Sequence, residues 1–156
     1  ETVTAMAAAC AEADRADRSH TLDAAFLDRT FTRIDQSIAM AALFAAHHMR
    51  ASAIVSLTQS GSTALWVTRI DSGIPVYALT PEESSRRRMT LFRECHPVAM
   101  QYRSYDMPAV LADVERLMLE NGLVKNGDLV VITVGEPVGK SGGTNNLKIV
   151  RIGSHS

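Results

Sequence analysis

The sequence predicts an α/β fold with three layers, α/β/α, in which helices cover both faces of a mostly parallel five-stranded sheet with an antiparallel last strand. Short apolar segments alternate along the chain with amphipathic segments, and this alternation favours parallel strands joined by right-handed crossovers. The last apolar segment follows a loop too short to contain a helix. We therefore expect that segment to pair antiparallel with the strand before it.

Two helices are predicted ahead of the sheet. Residues 2–13 are strong helix formers with a thin apolar stripe, and a polar connector over residues 14–20 separates them from a helix over residues 35–50. Apolar residues at helical spacing in the second helix are expected to face the sheet. They are Ile34, Ile38, Ala41, Ala42, Ala45 and Met49.

The strands and crossover helices follow in alternation. The clearest helix spans residues 107–121, with Asp106 as a predicted N-cap and Gly122 as the stop after its last turn. Two shorter helices are predicted over residues 63–71 and 82–92. The predicted strands are residues 53–57, 76–79, 97–101, 128–133 and 147–152.

Composition and charge exclude several classes of protein. With 156 residues, 46% of them hydrophobic and 21% charged, the chain fits one globular domain and not a disordered segment. A net charge of -1 creates no field that would attract nucleic acid or an anionic membrane, and we expect neither as a partner. Two cysteines, Cys10 and Cys95, make a disulfide framework improbable and favour a reducing cytoplasm.

A hydroxyl-rich turn follows the first predicted strand. We call residues 58–63 (Thr58, Gln59, Ser60, Gly61, Ser62, Thr63) the hydroxyl loop. Its hydroxyl groups, a glycine that allows close backbone approach and the unpaired amides at the start of a helix together favour a bound phosphate. An ordinary capped turn between strand and helix would have a similar composition, because Ser and Thr are also preferred N-caps.

A second loop with the chemistry of an anion site precedes the last strand. Residues 135–145, which we call the glycine loop, contain four glycines and one lysine. Both loops leave the carboxyl ends of strands, where doubly wound sheets bind ligands. The sequence therefore predicts a phosphate site formed by the hydroxyl loop with Lys140, Ser141, Gly142 and Gly143.

Other chemical candidates are weaker, and we predict no catalytic or metal-binding residues. His47 and His48 are adjacent on a helix and point in different directions, so they do not form a metal pair. Cys95 would need a base, and its neighbour His96 should face the opposite side of a strand. The run Arg86-Arg87-Arg88 could contact phosphate but is more typical of a solvated helix face.

Motifs for phosphoryl transfer are also missing. Asp71, Asp106 and Asp128 have no spacing typical of a carboxylate pair. Gly139-Lys140-Ser141 lacks the upstream glycine and the following helix of a Walker loop. The residues by themselves therefore support a binding domain.

Several segments in order resemble the carboxyl-terminal domain of bacterial pyruvate kinases. Leu57-Thr58-Gln59-Ser60-Gly61-Ser62-Thr63-Ala64 is similar to the phosphate loop of the effector site, and Gly139-Lys140-Ser141-Gly142-Gly143-Thr144-Asn145 to its lid loop. Glu1-Thr2-Val3-Thr4-Ala5-Met6 is similar to the last helix of the catalytic barrel. Further matches are Ile38-Ala39-Met40-Ala41-Ala42, the segment from Arg69 to Val76, Leu91-Phe92-Arg93, Pro97-Val98 and Asn126-Gly127-Asp128.

The resemblance implies a division into a barrel-helix remnant over residues 1–14, a connector over 15–33 and a regulatory α/β domain over 34–156. It implies a phosphorylated allosteric effector, such as a sugar phosphate or a nucleotide monophosphate, and assembly into a homo-oligomer, a tetramer in the family. Catalysis, the transfer of phosphate from phosphoenolpyruvate to ADP with Mg²⁺ and K⁺, would belong to a barrel domain that this chain does not contain. The chain alone would then need no cofactor and would not be an enzyme.

The sequence departs from the family pattern at two positions. Ser62 stands where many relatives have a basic residue, and Glu94 stands where glycine is usual. The first departure favours a monophosphate over a doubly phosphorylated sugar. The alternatives are a stand-alone phosphometabolite-binding protein, a small phosphatase-like enzyme and a pure oligomerisation module.

Overall fold

The computed structural model describes residues 1–16 and 28–154, and it contains the predicted sheet with helices on both faces. The strands are β1 (Ala53–Leu57), β2 (Val76–Thr80), β3 (Cys95–Ala99), β4 (Leu129–Gly135) and β5 (Thr144–Arg151). The helices are α1 (Thr2–Ala16), α2 (Ile34–Met49), α3 (Ser62–Thr68), α4 (Glu83–Met89) and α5 (Met107–Glu120).

The strand order is β3-β2-β1-β4-β5. The first three neighbouring pairs are parallel, and β4 and β5 are antiparallel. Both the α/β class and the antiparallel last strand are therefore confirmed. No helix in the described part of the chain has the length and apolar character needed to cross a membrane.

Alternating side chains of the central strands divide the core into two halves. On one face, Val55 and Leu57 of β1 pack in a cluster with Val110, Val114 and Met118 of α5. On the other face, Ile54 of β1 packs in a cluster with α2, and Ala78 of β2 packs with α3 and α4. Because successive side chains of a strand point to opposite faces, a strand covered on both sides must be apolar throughout, as β1 and β4 largely are.

The buried face of α2 differs from the predicted one. Ala42 is buried as expected and Ile38 and Ala45 are half-buried, but Ile34, Ala41 and Met49 are exposed. The helix instead buries Ala39, Met40, Leu43 and Ala46. Apolar residues surround α2 almost completely, so their spacing does not specify which side faces the sheet. The small Ala39, Ala42 and Ala46 allow the helix to approach Ile54 and Val131 closely.

Several element boundaries also differ from the predicted ones. Helices α3 and α4 end at Thr68 and Met89, before the predicted residues 71 and 92. Strand β3 starts at Cys95, which pairs with Val76, instead of at residue 97. Strand β5 starts at Thr144 instead of at residue 147, because its polar first residues pair with the end of β4.

Outside the sheet, helix α1 continues to Ala16, past the predicted end at residue 13. Most of the predicted connector, residues 17–27, lies outside the described residues. The ends of α5 match the prediction: the side chain of Asp106 accepts a hydrogen bond from the backbone N–H of Ala109 at 3.4 Å, and Gly122 has φ +65°.

A buried pair of hydroxyl groups lies between the two central strands. Thr133 Oγ1 of β4 donates to Ser56 Oγ of β1 at 3.2 Å, and the two residues are register partners. Neither side chain is exposed to solvent. A register shift would separate the two hydroxyl groups and leave them unpaired in the core, at a cost of about 1–3 kcal/mol for each.

We expect Leu43→Ala to lower the free energy of unfolding by about 2–5 kcal/mol, since it opens a cavity beneath α2. Leu43 is 0% exposed, whereas Leu91 is 85% exposed. The matched variant Leu91→Ala should therefore change stability by less than about 0.5 kcal/mol. Urea unfolding followed by circular dichroism measures both values, and equal losses would contradict the packing described for α2.

We expect the backbone amides of α1 to exchange with solvent much faster than those of β4. The side chains of residues 2–13 are all exposed, so the helix buries no apolar surface that would stabilise it. Residues 130–134 of β4 are all buried and pair with a strand on each side. Hydrogen exchange measured by mass spectrometry tests this, and equal protection of the two elements would count against the prediction.

Candidate functional site

The candidate site lies where the direction of strand addition reverses. From β1 the chain adds β2 and β3 on one side, and then returns to place β4 on the other side of β1. The carboxyl ends of β1 and β4 therefore lie side by side, with Ser56 opposite Thr133. This arrangement creates the crevice in which open α/β sheets bind ligands, and the hydroxyl and glycine loops form its walls.

A small cavity separates the two loops. Its volume is about 10 Å³, room for a single water molecule. Of the ten predicted site residues, Thr58, Gln59, Ser62, Lys140 and Gly142 line it, and Ser60, Gly61, Thr63, Ser141 and Gly143 do not. The other lining residues are Leu57, Tyr102, Val134, Gly135, Val138, Gly139 and Thr144.

The hydroxyl loop is held by hydrogen bonds within itself. The N–H of Gly61 donates to Thr58 Oγ1 at 2.8 Å, and the N–H of Ser62 donates to Ser60 Oγ at 3.4 Å. In both bonds the hydroxyl oxygen is the acceptor. The hydroxyl protons of Thr58 and Ser60 can therefore still be donated to a bound anion.

Gly61 is required by the shape of the hydroxyl loop. Its φ of +80° favours glycine, and a Cβ atom there would lie 3.0 Å from Cγ and Sδ of the buried Met89. The loop therefore packs directly on α4. Because α3 has only seven residues, the amides and hydroxyl groups of the turn carry the expected anion affinity, and the helix dipole adds little.

The glycine loop is shorter than the sequence suggests, because Gly135 belongs to β4 and Thr144 and Asn145 belong to β5. The amide side chain of Asn145 connects the two ends of the glycine loop. Its Oδ1 accepts from the N–H of Glu136, and its Nδ2 donates to the carbonyl of Glu136, both at 2.9 Å. The carboxylate of Glu136 accepts from Asn146 Nδ2 at 3.2 Å and does not line the cavity.

A buried hydrogen bond joins the two loops. Thr63 Oγ1 donates to Thr144 Oγ1 at 2.8 Å, and both side chains are buried. Thr63 belongs to the hydroxyl loop, and Thr144 is the residue directly after Gly143. The hydrogen bond therefore connects the end of the glycine loop to the start of α3.

Two tyrosines that the sequence analysis did not single out also belong to the site. Tyr102 lines the cavity, and burial, followed by the proximity of Tyr105, raises its pKa, while a hydrogen bond with Gln59 acts in the opposite direction. The ring of Tyr105 covers Gly139, where a Cβ atom would lie 2.7 Å from its Cε1. The available signal was the pair of aromatic residues directly after the carboxyl end of β3.

A buried carboxylate supports the hydroxyl loop from the start of α2. The side chain of Asp35 is 3% exposed and accepts hydrogen bonds from Arg33 Nε at 2.9 Å, Arg33 Nη2 at 2.7 Å and Ser62 Oγ at 3.2 Å. The hydrogen bond from Arg33 is the main cause that holds the pKa of Asp35 below its usual range, against the effect of burial. The carboxylate is therefore ionised at neutral pH.

One member of the arginine run contacts the site. The guanidinium of Arg88 donates to the carbonyl of Ser60, so it supports the hydroxyl loop from α4. Arg87 instead pairs with Glu83 on the same helix. The sequence could show a cluster of positive charge, but not which arginine points towards the loop.

Cys95 does not have the environment of a nucleophile. Burial raises the pKa of its thiol to about 11, so the thiol is protonated at neutral pH. His96 is exposed, and its ring lies beside Tyr77. Within residues 1–16 and 28–154, no three His, Cys, Asp or Glu side chains form a group that could hold a metal ion.

Comparisons with known proteins agree with the α/β fold. The chain matches the family described as "Pyruvate kinase, alpha/beta domain" over residues 36–150. It is 33% identical to pyruvate kinase II of Salmonella typhimurium and 35% identical to a pyruvate kinase of Buchnera aphidicola, each over 97% of this chain. A pyruvate kinase of Staphylococcus aureus is 33% identical over 78% of the chain.

The matches cover 32%, 31% and 21% of the three relatives, respectively. The chain thus spans about a third or less of the length of these curated relatives. The matched region contains the whole sheet except the last residue of β5 and both loops of the cavity. Because the family model matches most of its length, the chain belongs to the family of pyruvate kinase alpha/beta domains.

Proposed function

We propose that this chain is the regulatory domain of a pyruvate kinase and binds the phosphate group of a small effector between the hydroxyl loop and the glycine loop. The observation that carries the proposal is the convergence of these two loops on one cavity at the reversal point of the sheet. Neither loop alone distinguishes a phosphate site from an ordinary turn. Together they offer backbone amides, hydroxyl protons and the cation of Lys140 to a single ligand.

The cavity is too small for a phosphate group in its present shape. Binding therefore requires the glycine loop to move outward, and its glycines and exposed Lys140 permit this movement. Because Thr63 is hydrogen-bonded to Thr144, such a movement would also alter the start of α3. This coupling is a physical route by which effector binding could reach the rest of an enzyme.

The effector that we propose is a monophosphate, either a sugar phosphate or a nucleotide monophosphate. Lys140 supplies one positive charge from the glycine loop, and Ser62 adds none. Arg88 approaches the hydroxyl loop through the carbonyl of Ser60. One phosphate group is thus matched by the nearby charge, whereas a second would have little to neutralise it.

For the whole enzyme we propose phosphate transfer from phosphoenolpyruvate to ADP in the cytoplasm, in a catalytic barrel that partners this domain. We assign Mg²⁺ and K⁺ to that barrel on the similarity of this chain to pyruvate kinases. We also propose that the domain contributes to assembly of a homo-oligomer. The exposed apolar side chains of Ile34, Phe44 and Met49 on α2 support a role in subunit contacts.

A panel of sugar phosphates and nucleotide monophosphates, titrated against the chain, tests the proposal by the shift in melting temperature. A ligand that binds the folded state raises that temperature, by an amount that grows with the logarithm of its concentration relative to its Kd. An increase with one class of monophosphate and none with the parent alcohols supports the phosphate site. No increase with any member of the panel would contradict it.

We expect Ser60→Ala to weaken effector binding about tenfold or more, because it removes a hydroxyl donor to a charged acceptor, a loss of roughly 1.5–3 kcal/mol. Lys140→Ala should have a smaller effect that decreases as salt concentration rises, since Lys140 is exposed. Thr63→Ala should weaken binding and also lower stability by about 1–3 kcal/mol, because it leaves the buried hydroxyl of Thr144 unpaired. Isothermal titration calorimetry at two salt concentrations measures these effects.

Ser84→Ala and Lys125→Ala serve as matched controls, since both residues are exposed and neither lines the cavity. They should leave effector affinity unchanged. If Ser60→Ala and Thr63→Ala bind every ligand of the panel as tightly as the wild type does, the hydroxyl loop is only a helix cap.

We expect the chain by itself to have no pyruvate kinase activity. Glu136 is the one acidic residue within the two loops, and its carboxylate is hydrogen-bonded to Asn146 outside the cavity, while the carboxylate of Asp35 is held by Arg33 and Ser62. A coupled assay that follows pyruvate formation from phosphoenolpyruvate and ADP measures this. Turnover that survives further purification and is lost in Glu136→Gln would instead favour catalysis at this site.

A further inference from the structure

The direction of one hydrogen bond determines what Ser62 can offer to a ligand. An ionised carboxylate has no proton to donate, so in the bond between Asp35 and Ser62 the hydroxyl group must be the donor. A serine hydroxyl has a single proton. Ser62 is one of the residues that line the cavity, and its hydroxyl oxygen is therefore left with lone pairs only.

We propose that Asp35 is a positioning residue that makes Ser62 a hydrogen-bond acceptor in the effector site, and so selects phosphate esters that carry a hydroxyl group over those that do not. The inference rests on the proposed function, since it concerns the same cavity. A ligand hydroxyl can donate to Ser62 Oγ. An oxygen of a fully ionised phosphate group has only lone pairs to offer and is repelled by it.

The charge of Asp35 does not by itself explain this selection. Arg33 binds both carboxylate oxygens and balances their charge. The two hydrogen bonds that Arg33 donates here both go to Asp35, so they do not change the direction of the hydrogen bond from Ser62. The orientation of the Ser62 hydroxyl therefore depends on the presence of a carboxylate at position 35, and not on the net charge around it.

The proposal predicts a preference between two phosphate esters with the same carbon chain. Glycerol 3-phosphate and n-propyl phosphate share a three-carbon chain, and only the first has hydroxyl groups. We expect the wild type to bind glycerol 3-phosphate on the order of three- to tenfold more tightly, the worth of one hydrogen bond. Titration of each ligand, followed by nuclear magnetic resonance of the backbone amides in the hydroxyl loop, measures both affinities.

Asp35→Asn should reverse the polarity of the bond. The amide of asparagine can donate to Ser62 Oγ, which releases the hydroxyl proton towards the ligand. We expect the affinity for n-propyl phosphate to rise about threefold or more and the preference for glycerol 3-phosphate to disappear. In the Ser62→Ala background Asp35→Asn should have no such effect. If Asp35 had a purely structural role, Asp35→Asn would instead lower the affinity for both ligands equally.

Two further variants keep the test independent of the stability of Asp35→Asn. Ser62→Ala alone should lose the preference without losing affinity for n-propyl phosphate. If Ser62 instead donated its proton to phosphate, Ser62→Ala would weaken the binding of n-propyl phosphate. Arg33→Gln keeps the carboxylate and should preserve the preference. The inference would be overturned if the wild type bound both ligands equally or bound neither. It would also be overturned if Asp35→Asn raised the affinity for n-propyl phosphate in the Ser62→Ala background as well. The monophosphate panel decides separately whether the proposed function stands.

Discussion

The pairing of β1 with β4 at the centre of the sheet is the constraint on which the rest of the structure depends. Helices cover both faces of these strands, so their side chains are buried, and the hydrogen bond between Ser56 and Thr133 pairs two hydroxyl groups that would otherwise be unsatisfied in the core. A change of register would expose apolar side chains to the wrong face and separate the hydroxyl pair. The same pairing places the ends of the two strands together, and with them the hydroxyl and glycine loops.

The hydroxyl loop is supported by every element that surrounds it. Asp35 holds Ser62 from α2, Arg88 holds the carbonyl of Ser60 from α4, and Met89 packs where a side chain on Gly61 would lie. The glycine loop is attached at its ends through Asn145 and Thr144, and in its middle Val138 is buried and the ring of Tyr105 covers Gly139. The hydroxyl loop is thus held by hydrogen bonds to two helices, whereas the glycine loop has two glycines at positive φ around the exposed Lys140 that give its backbone more conformational freedom.

Sequence reasoning was most accurate where local chemistry determines the structure. Asp106 and Gly122 bound α5 because a capping carboxylate and a left-handed glycine act within a few residues. It was wrong about the buried face of α2, where apolar residues on nearly all sides made the spacing uninformative and packing against Ile54 and Val131 selected the face. It also placed the start of β5 too late, because the polar Thr144 and Asn146 pair with the end of β4, which their polarity does not reveal.

The sequence by itself determined the kind of fold, the family and the composition of the two loops, since alternation, hydroxyl groups and glycines are readable along the chain. Only the tertiary structure decided that β4 lies beside β1, and therefore that loops more than 70 residues apart share one cavity. It also decided that Asp35 and Arg88 contact the hydroxyl loop and that Thr63 is bonded to Thr144. These contacts join residues far apart in the chain, and their geometry is set by packing of the core, which no local pattern encodes.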